Sequence, residues 1–428
     1  SGDKMAFGAF EALWFGRPGP RNMLERHVKG APPLYRDGTA FITGKNYLAA
    51  VDAYNGALLW EKHVKGSGRM AMLKDCGNMV ATADGLHVAV DDSCIVFEGR
   101  TGRQLREHAV SRYHPEGGHW GYIAASADLL LGSATKPGAE LMPGNKPDYN
   151  AVWYHFQPVV TSLGVFALKR VSGEPVWTYS PSTGVLLNPT ITVLGNVVAF
   201  IESTNPATRD DSDGKIPLAE LFKGGPRVTA LRLDTGAVAW RVPIDLSGFQ
   251  HAAYMSGSEG IFVLTGTRHD KVGAKTLIQY QLIGMSAADG RELWRNDNTP
   301  TRAHVLDGGH GEQTQHPAIV NGVVYGPGFA RTLSTGEEHN GWKWQKSPQC
   351  ATLSTSINCA FSRQSGNPTV ASFATGKQDK LTRATRPGCW INTIPAGGVV
   401  LIPEASSGCT CGYSVQTSLA LYPLGNGK

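Results

Sequence analysis

Leu48-Ala-Ala-Val-Asp-Ala-Tyr-Asn-Gly56-Ala-Leu-Leu-Trp60 reads as an alternating apolar strand, a turn closed on glycine, and a second strand carrying a tryptophan. The pattern returns as Val165-Phe-Ala-Leu-Lys-Arg-Val-Ser-Gly173-Glu-Pro-Val-Trp177 and as Val228-Thr-Ala-Leu-Arg-Leu-Asp-Thr-Gly236-Ala-Val-Ala-Trp240. A further copy is Leu282-Ile-Gly-Met-Ser-Ala-Ala-Asp-Gly290-Arg-Glu-Leu-Trp294. In every copy the indole falls four residues after the glycine. A hairpin turn that needs positive φ takes glycine. A tryptophan at a fixed distance from it can cover the gap between neighbouring sheets and bury a large area there. A degenerate copy at 95–106 keeps Gly102 but has Arg106 where the tryptophan should stand.

Another strand pair goes with these hairpins, as at 77–90, 317–325 and 394–402. Two hairpins make a four-stranded blade, and a ring of blades leaves only short edges exposed. Inner strands are expected to start near 33, 77, 120, 188, 251, 316, 350 and 389. The repeat therefore predicts an all-β, eight-bladed β-propeller, one domain over 1–428, with the N-terminal segment 1–30 closing the last blade through Ala12–Phe15. The last two blades lack the Gly-to-Trp spacing, so seven stays open. A pair of sandwiched sheets would not explain four copies of one hairpin.

Composition agrees with a turn-dense fold: 52 glycines and 25 prolines in 428 residues, with a 41% hydrophobic share that can build a core. No apolar run reaches the roughly 18 residues of a membrane helix. The net charge of +5 is spread out, with no basic block interleaved with aromatics, which argues against nucleic-acid binding. The chain opens on Ser1-Gly-Asp-Lys4 without a leader and is expected to be a mature or trimmed form of a secreted or periplasmic protein. Five of seven cysteines crowd the last fifth, with no haem or paired zinc spacing. At least one disulfide is expected among Cys350, Cys389, Cys409 and Cys411. Buried free thiols are the alternative.

The Ala-x-Asp-x-x-x-Gly-x-x-x-Trp style of repeat resembles the pyrroloquinoline-quinone-like (PQQ-like) propellers, which include quinoprotein alcohol dehydrogenases and an outer-membrane assembly lipoprotein. Two stretches, Trp14-Phe-Gly-Arg-Pro-Gly-Pro-Arg-Asn-Met23 and Arg386-Pro-Gly-Cys-Trp-Ile-Asn-Thr-Ile-Pro395 with Ser407-Gly-Cys-Thr-Cys411, are similar to secreted PQQ-like repeat proteins of planctomycete-type bacteria. That group has no settled activity, and fold does not supply function. The dehydrogenases commonly carry a vicinal Cys-Cys ring, a tryptophan floor and acidic or amide calcium ligands. Here Cys409-Thr-Cys411 is the nearest approach, and no calcium segment or haem motif is recognisable, so PQQ is not expected.

In such a propeller the blade-to-blade links and the loops between second and third strands share one face, where loop function concentrates. Those segments carry Lys74, Arg112, Tyr113, Trp120, His251 and Tyr254, then the run from Arg302 to His316, and Arg386. His304, His310, Gln313 and His316 are expected to hold one divalent metal (Zn, Mn or Ca), in the manner of the metal site of oligogalacturonide lyases, which it resembles. Arg112, Lys74, Arg302 and Arg386, with Trp120 as a platform, are expected to bind an anionic saccharide. His251, Tyr254, His310 and Tyr113 are candidates for proton exchange in a metal-assisted elimination. His310 and His316 are expected to share one cavity with His251, Arg112 and His114 or His119. The readings carried forward are a propeller that binds or cleaves an anionic carbohydrate, a non-catalytic scaffold for a protein partner, and a PQQ-dependent oxidoreductase.

Overall fold

The computed structural model describes residues 2–17, 22–25, 29–141, 158–272, 275–304, 315–339, 342, 352–364, 366–403, 406–407 and 415–424. For 24–25, 272, 275–276, 298–304 and 406–407 it describes the backbone alone. Helix is confined to single turns. Nearly everything else that is regular is antiparallel strand.

Apart from the parallel pair Leu24–Glu25 and Ser406–Ser407, the described strands lie in antiparallel sheets that follow one another along the chain, the ten-stranded one being taken below as a third and a fourth unit. The first consists of Leu34–Arg36, Thr39–Gly44, Tyr47–Asp52 and Leu58–His63, each strand paired with the one before it. The units at 79–109, 253–304 and 354–380 repeat that up-and-down order. The third and fourth units are joined by the short strand Leu186–Leu187, and the sixth shows three strands. In the last unit Ile394–Ala396, Val399–Ile402 and Ser418–Pro423 are completed by Phe10–Gly16 from the other end of the chain.

Alternation puts one face of each strand into a core shared with the next unit. Trp60 meets Leu86 and Phe97 between the first and second units, and Ala89 and Cys94 share a core with Trp120 and Phe166 between the second and third. Trp177 packs with Phe200, Trp240 with Phe262, Trp294 with Phe329, Tyr325 with Ala371, and Phe361 with Leu419. Val399 and Leu401 then pack on Ala49 and Val51 of the first unit. The succession of cores returns to its start, so the fold is a β-propeller.

The repeat glycines explain how the units dock. Gly56, Gly102, Gly173, Gly236, Gly290 and Gly336 all have φ between 69° and 75°, in the left-handed region. The indole of the preceding unit lies flat on the bare α-carbon of five of them: Trp14 on Gly56, Trp60 on Gly102, Trp177 on Gly236, Trp240 on Gly290, Trp294 on Gly336. Each indole N–H donates to the carbonyl three residues before that glycine, on Ala53, Gly99, Leu233, Ala287 and Leu333, at 2.8 to 2.9 Å. The four tryptophans of the repeat are at most 8% exposed.

At the second unit the sequence expectation needs correction. Arg106 does not take the vacant indole position. His108 does, with its Cε1 2.8 Å from where a β-carbon of Gly173 would stand, beside Tyr113, whose hydroxyl donates to the Gly173 carbonyl at 3.0 Å.

Candidate functional site

The links between units turn inward and bury polar side chains instead of displaying them. Arg69, Lys74, Asp75, Asn78, Asn188 and His251 are all at most 7% exposed. The link before the second unit bends at Ala71, whose φ is 56°, and Lys74 N–H closes the turn on the Ala71 carbonyl at 2.8 Å. Met72 N–H donates to the Lys29 carbonyl at 3.2 Å and Val160 N–H to the Lys74 carbonyl at 2.7 Å, so this link is fastened to the first and third units.

Its two charges have opposite surroundings. The Asp75 carboxylate lies 3.6 Å from the Arg69 guanidinium and accepts from the Asn188 amide at 3.2 Å. Arg69 in turn donates to the carbonyl oxygens of Trp120 and Gly121. Lys74 has no hydrogen-bond partner for its ammonium among the described residues. Burial, with the Lys29 charge second, pulls its pKa down to about 7. Lys29, itself 2% exposed, holds its ammonium 5.5 Å over the Trp390 ring. His251 stacks on His269 with ring centroids 3.8 Å apart. Burial, then His269 and Lys74, push the His251 pKa down to about 3, so it is a neutral imidazole at physiological pH. Ala31, Met72, Leu73, Ala252, Tyr254 and Trp390 form an apolar cluster beside these groups.

A cavity of about 290 Å³ opens next to that cluster, where inner strands of four units begin. Pro33, His316, Leu353, Ile391 and Ile394 are among its lining. His316 stands 4.9 Å from the Tyr254 ring, with Nδ1 2.8 Å from the Pro317 carbonyl and Nε2 3.4 Å from the Ser256 hydroxyl. A tautomer with Nδ1–H on that carbonyl leaves the Nε2 lone pair toward Ser256.

The structure disperses most of the residues expected to share one site. Trp120 is fully buried against Phe166 and Tyr113 and is no sugar platform. Tyr113 and Tyr254 are at most 4% exposed, so neither stands ready to exchange a proton with a ligand on the surface. Arg112 is exposed and lies 6.0 Å over the Tyr113 ring, apart from His316. His114 is buried on the Ser180 hydroxyl, and His119 is paired with Glu140. Arg386 is buried and donates, with Arg363, to the Pro387 carbonyl. Apolar packing on the inward face of each link outweighs the polar pattern that suggested an open funnel. The side chains of His304 and Arg302 lie outside the described residues, as do His310 and Gln313 altogether. So do Cys350, Cys409 and Cys411. Cys389 is buried, and Cys76, Cys94 and Cys359 carry free thiols.

One constellation had no sequence signal. Asp91, His119 and Glu140 come from three segments and each offers a ligand-type atom within 4.8 Å of the other two.

Comparison with known proteins supports the fold. A family model described as outer membrane protein assembly factor BamB matches residues 12–134. No curated protein matches the chain. Among solved structures, BamB from Moraxella catarrhalis is 12% identical, with 98% of this chain and 100% of that one covered and a TM-score of 0.52. Quinohemoprotein alcohol dehydrogenases from Comamonas testosteroni and Pseudomonas putida are each 13% identical, covering 98% of this chain and 77% of theirs, with a TM-score of 0.56.

The described link residues offer few oxygen ligands for a divalent cation such as calcium. Met72, Leu73, Tyr254 and Trp390 form an apolar cluster beside Lys29, Lys74 and His251, which offer nitrogen and not oxygen. The acid next in sequence, Asp75, is turned to Arg69 and Asn188. Calcium takes six or more oxygen ligands, which these side chains do not supply. Its Gly-to-Trp repeat, its docked indoles and the likeness to these structures make the fold a β-propeller, and over residues 12–134 the chain is similar to the family described as outer membrane protein assembly factor BamB.

Proposed function

We propose that this propeller binds an anionic small ligand where its links meet, and that binding is its role there. The observation that carries the reading is the Lys74 ammonium, 2% exposed and without a hydrogen-bond partner among the described residues. An unpaired buried charge is costly, and it is relieved either by losing its proton or by gaining a counter-charge. A carboxylate, sulfate or phosphate group supplies that counter-charge next to Lys29 and the N–H of a neutral His251. Bond cleavage is not part of the proposal: Tyr113 packs on Trp120 and Phe166 instead, and His310 lies outside the described residues.

Calorimetric titration with oligogalacturonate, sulfate and phosphate tests the reading on the wild-type protein and on Lys74→Met. The wild type should bind at least one of them at pH 6 and weaken as the pH rises through 7, and Lys74→Met should lose the heat. A preference for the uronate would identify the ligand as a saccharide, whereas wild-type protein that binds none of the three would end the proposal.

A second reading, a scaffold for a protein partner, is favoured by the outer edge of the last unit. Phe10–Gly16 is an edge strand whose Leu13 and Phe15 are 38% and 55% exposed, and an apolar edge can accept another strand. Phe15→Lys should then abolish co-purification of a partner without affecting anion binding. On either reading we place the protein outside the cytoplasm, in line with the outer-membrane factor whose family model it matches. No helix among the described residues is long and apolar enough to cross a membrane.

A further inference from the structure

Away from the meeting point of the links, three ligand-type side chains converge on the seam between the second and third units. Asp91 occupies the turn between Gly85–Val90 and Ser93–Phe97, at a φ of 47°. His119 opens the strand His119–Ser126, and Glu140 follows the strand Leu129–Thr135 through a turn at Gly138. We propose that Asp91, His119 and Glu140 bind one divalent metal ion of the zinc or manganese kind, and that the ion clasps the second unit to the third.

Three independent observations support a cation here. The first is proximity: one imidazole nitrogen and one oxygen from each acid lie within 4.8 Å of one another. The second is the state of Glu140. Its side chain is 2% exposed, Oε1 lies 2.6 Å from His119 Nδ1, and Oε2 has no hydrogen-bond partner among the described residues. His119 Nδ1 also accepts from the Gly138 N–H at 3.2 Å, but a carboxylate oxygen taken from water and left bare is unfavourable, and a cation is the partner that Glu140 Oε2 lacks. The third is the position. Five of the other seams carry an indole docked on glycine, whereas at this one His108 stands under Gly173. A bridge between Asp91 of one unit and His119 and Glu140 of the next supplies an inter-unit link where the tryptophan is missing.

The backbone holds the ligands in register. Trp120 N–H donates to the Asp91 carbonyl at 2.6 Å, and the Thr135 hydroxyl donates to the His119 carbonyl at 3.1 Å. The turn that carries Asp91 is thereby tied to the strand that begins with His119. The donor set selects the ion. One imidazole with two carboxylates is too nitrogen-rich for calcium or magnesium and too hard for copper(I), which leaves zinc, manganese and their neighbours. Three protein ligands are one fewer than zinc's usual four, so a fourth position falls to water.

The test is metal analysis and thermal unfolding of the whole chain. Protein stripped with a chelator and returned to zinc or manganese should take up one equivalent and melt roughly 3 °C or more higher at saturating metal. Calcium and magnesium should not reproduce the rise. Cobalt(II) should give a visible ligand-field band, and that band and the bound ion should both vanish in His119→Ala and Glu140→Gln. Asp91 is exposed, so Asp91→Asn tests the same site should the buried replacements fail to fold. Lys74→Met should keep the ion, which separates this site from the anion site. The proposal is overturned if stripped wild-type protein melts at the same temperature with and without zinc or manganese, or if Asp91→Asn and His119→Ala both retain the ion.

Discussion

Gly290 presents its bare α-carbon to the indole of Trp240, so closely that a β-carbon there would stand 2.5 Å from Trp240 Cε3. The same glycine closes its turn at a φ of 75°. One residue thus meets two demands, a left-handed turn and a landing site for the neighbouring unit. Gly290→Ala should destabilise the protein by about 2–4 kcal/mol, combining turn strain with overpacking. Gly195, at a φ of 60° with nothing within 4 Å, is the control: alanine there meets the turn strain alone and should cost about 1 kcal/mol. Urea unfolding of both variants checks the difference.

The indole N–H matters separately from the ring. Trp294→Phe keeps much of the apolar contact but leaves the Leu333 carbonyl, now bonded at 2.8 Å, without its donor. A loss of about 1–3 kcal/mol is expected for the phenylalanine, and about 3–5 kcal/mol for Trp294→Ala. Equal losses for the two variants in denaturant unfolding would contradict the role given to the hydrogen bond.

Acid should weaken the fold through buried imidazoles. His87 and His251 are both pushed down from 6.5 to about 3, chiefly by burial. Above pH 6.5 both states are neutral and the shift has no effect. Below it the unfolded chain gains protons that the folded chain refuses, so stability falls as the pH drops toward 3. At pH 5 each imidazole accounts for about 2 kcal/mol of the loss. His87→Gln should flatten the decline in urea midpoint between pH 7 and 5 by a comparable amount, and an unchanged slope would mean that His87 is not the buried neutral group described.

Lys74 works in the same direction as the two histidines, over a higher range of pH. Its folded-state pKa of about 7 lies below the ordinary 10.5, so the unfolded chain binds more protons between those limits. Stability should therefore rise by about 2–3 kcal/mol from pH 6 to pH 9 on account of this group. Lys74→Met should abolish the rise and be the more stable protein at pH 6. A bound anion should flatten it too, because it holds the ammonium charged.

The repeat was legible because its two signals are local. Glycine four residues before tryptophan fixes a turn and the edge on which the indole sits, and both are readable in a window of thirteen residues. The matching acceptors on Ala53, Gly99, Leu233, Ala287 and Leu333 could have been read as well, since they keep a constant distance from the next glycine. The same rule would have picked out Trp14, whose own strand lacks the glycine because it comes from the other end of the chain. The site was far less legible. Link residues such as Lys74, Trp120 and Tyr254 look exposed in a polar loop, yet long-range packing decides which way they turn. His119 was noticed among the link residues, but nothing in the spacing of Asp91 and Glu140 joins them to it, because their proximity arises only after two units dock.

The strand Phe10–Gly16 lies beside Ser418–Pro423, and the Tyr422 hydroxyl donates to the Glu11 carboxylate at 2.8 Å. Those partners are some 411 residues apart in the chain, so the contact that seals the circle can form only after the units between them have been made. During synthesis the earlier units can assemble in order while this seam waits, with its apolar edge uncovered, for the final strand to emerge. Closure over so long a loop carries a large entropic penalty before any contact repays it, which makes it a slow step. Strain on the finished molecule should be felt first at the same place, since no covalent tie along the chain bridges it. The clasp is therefore both the late event of folding and the natural point of first opening.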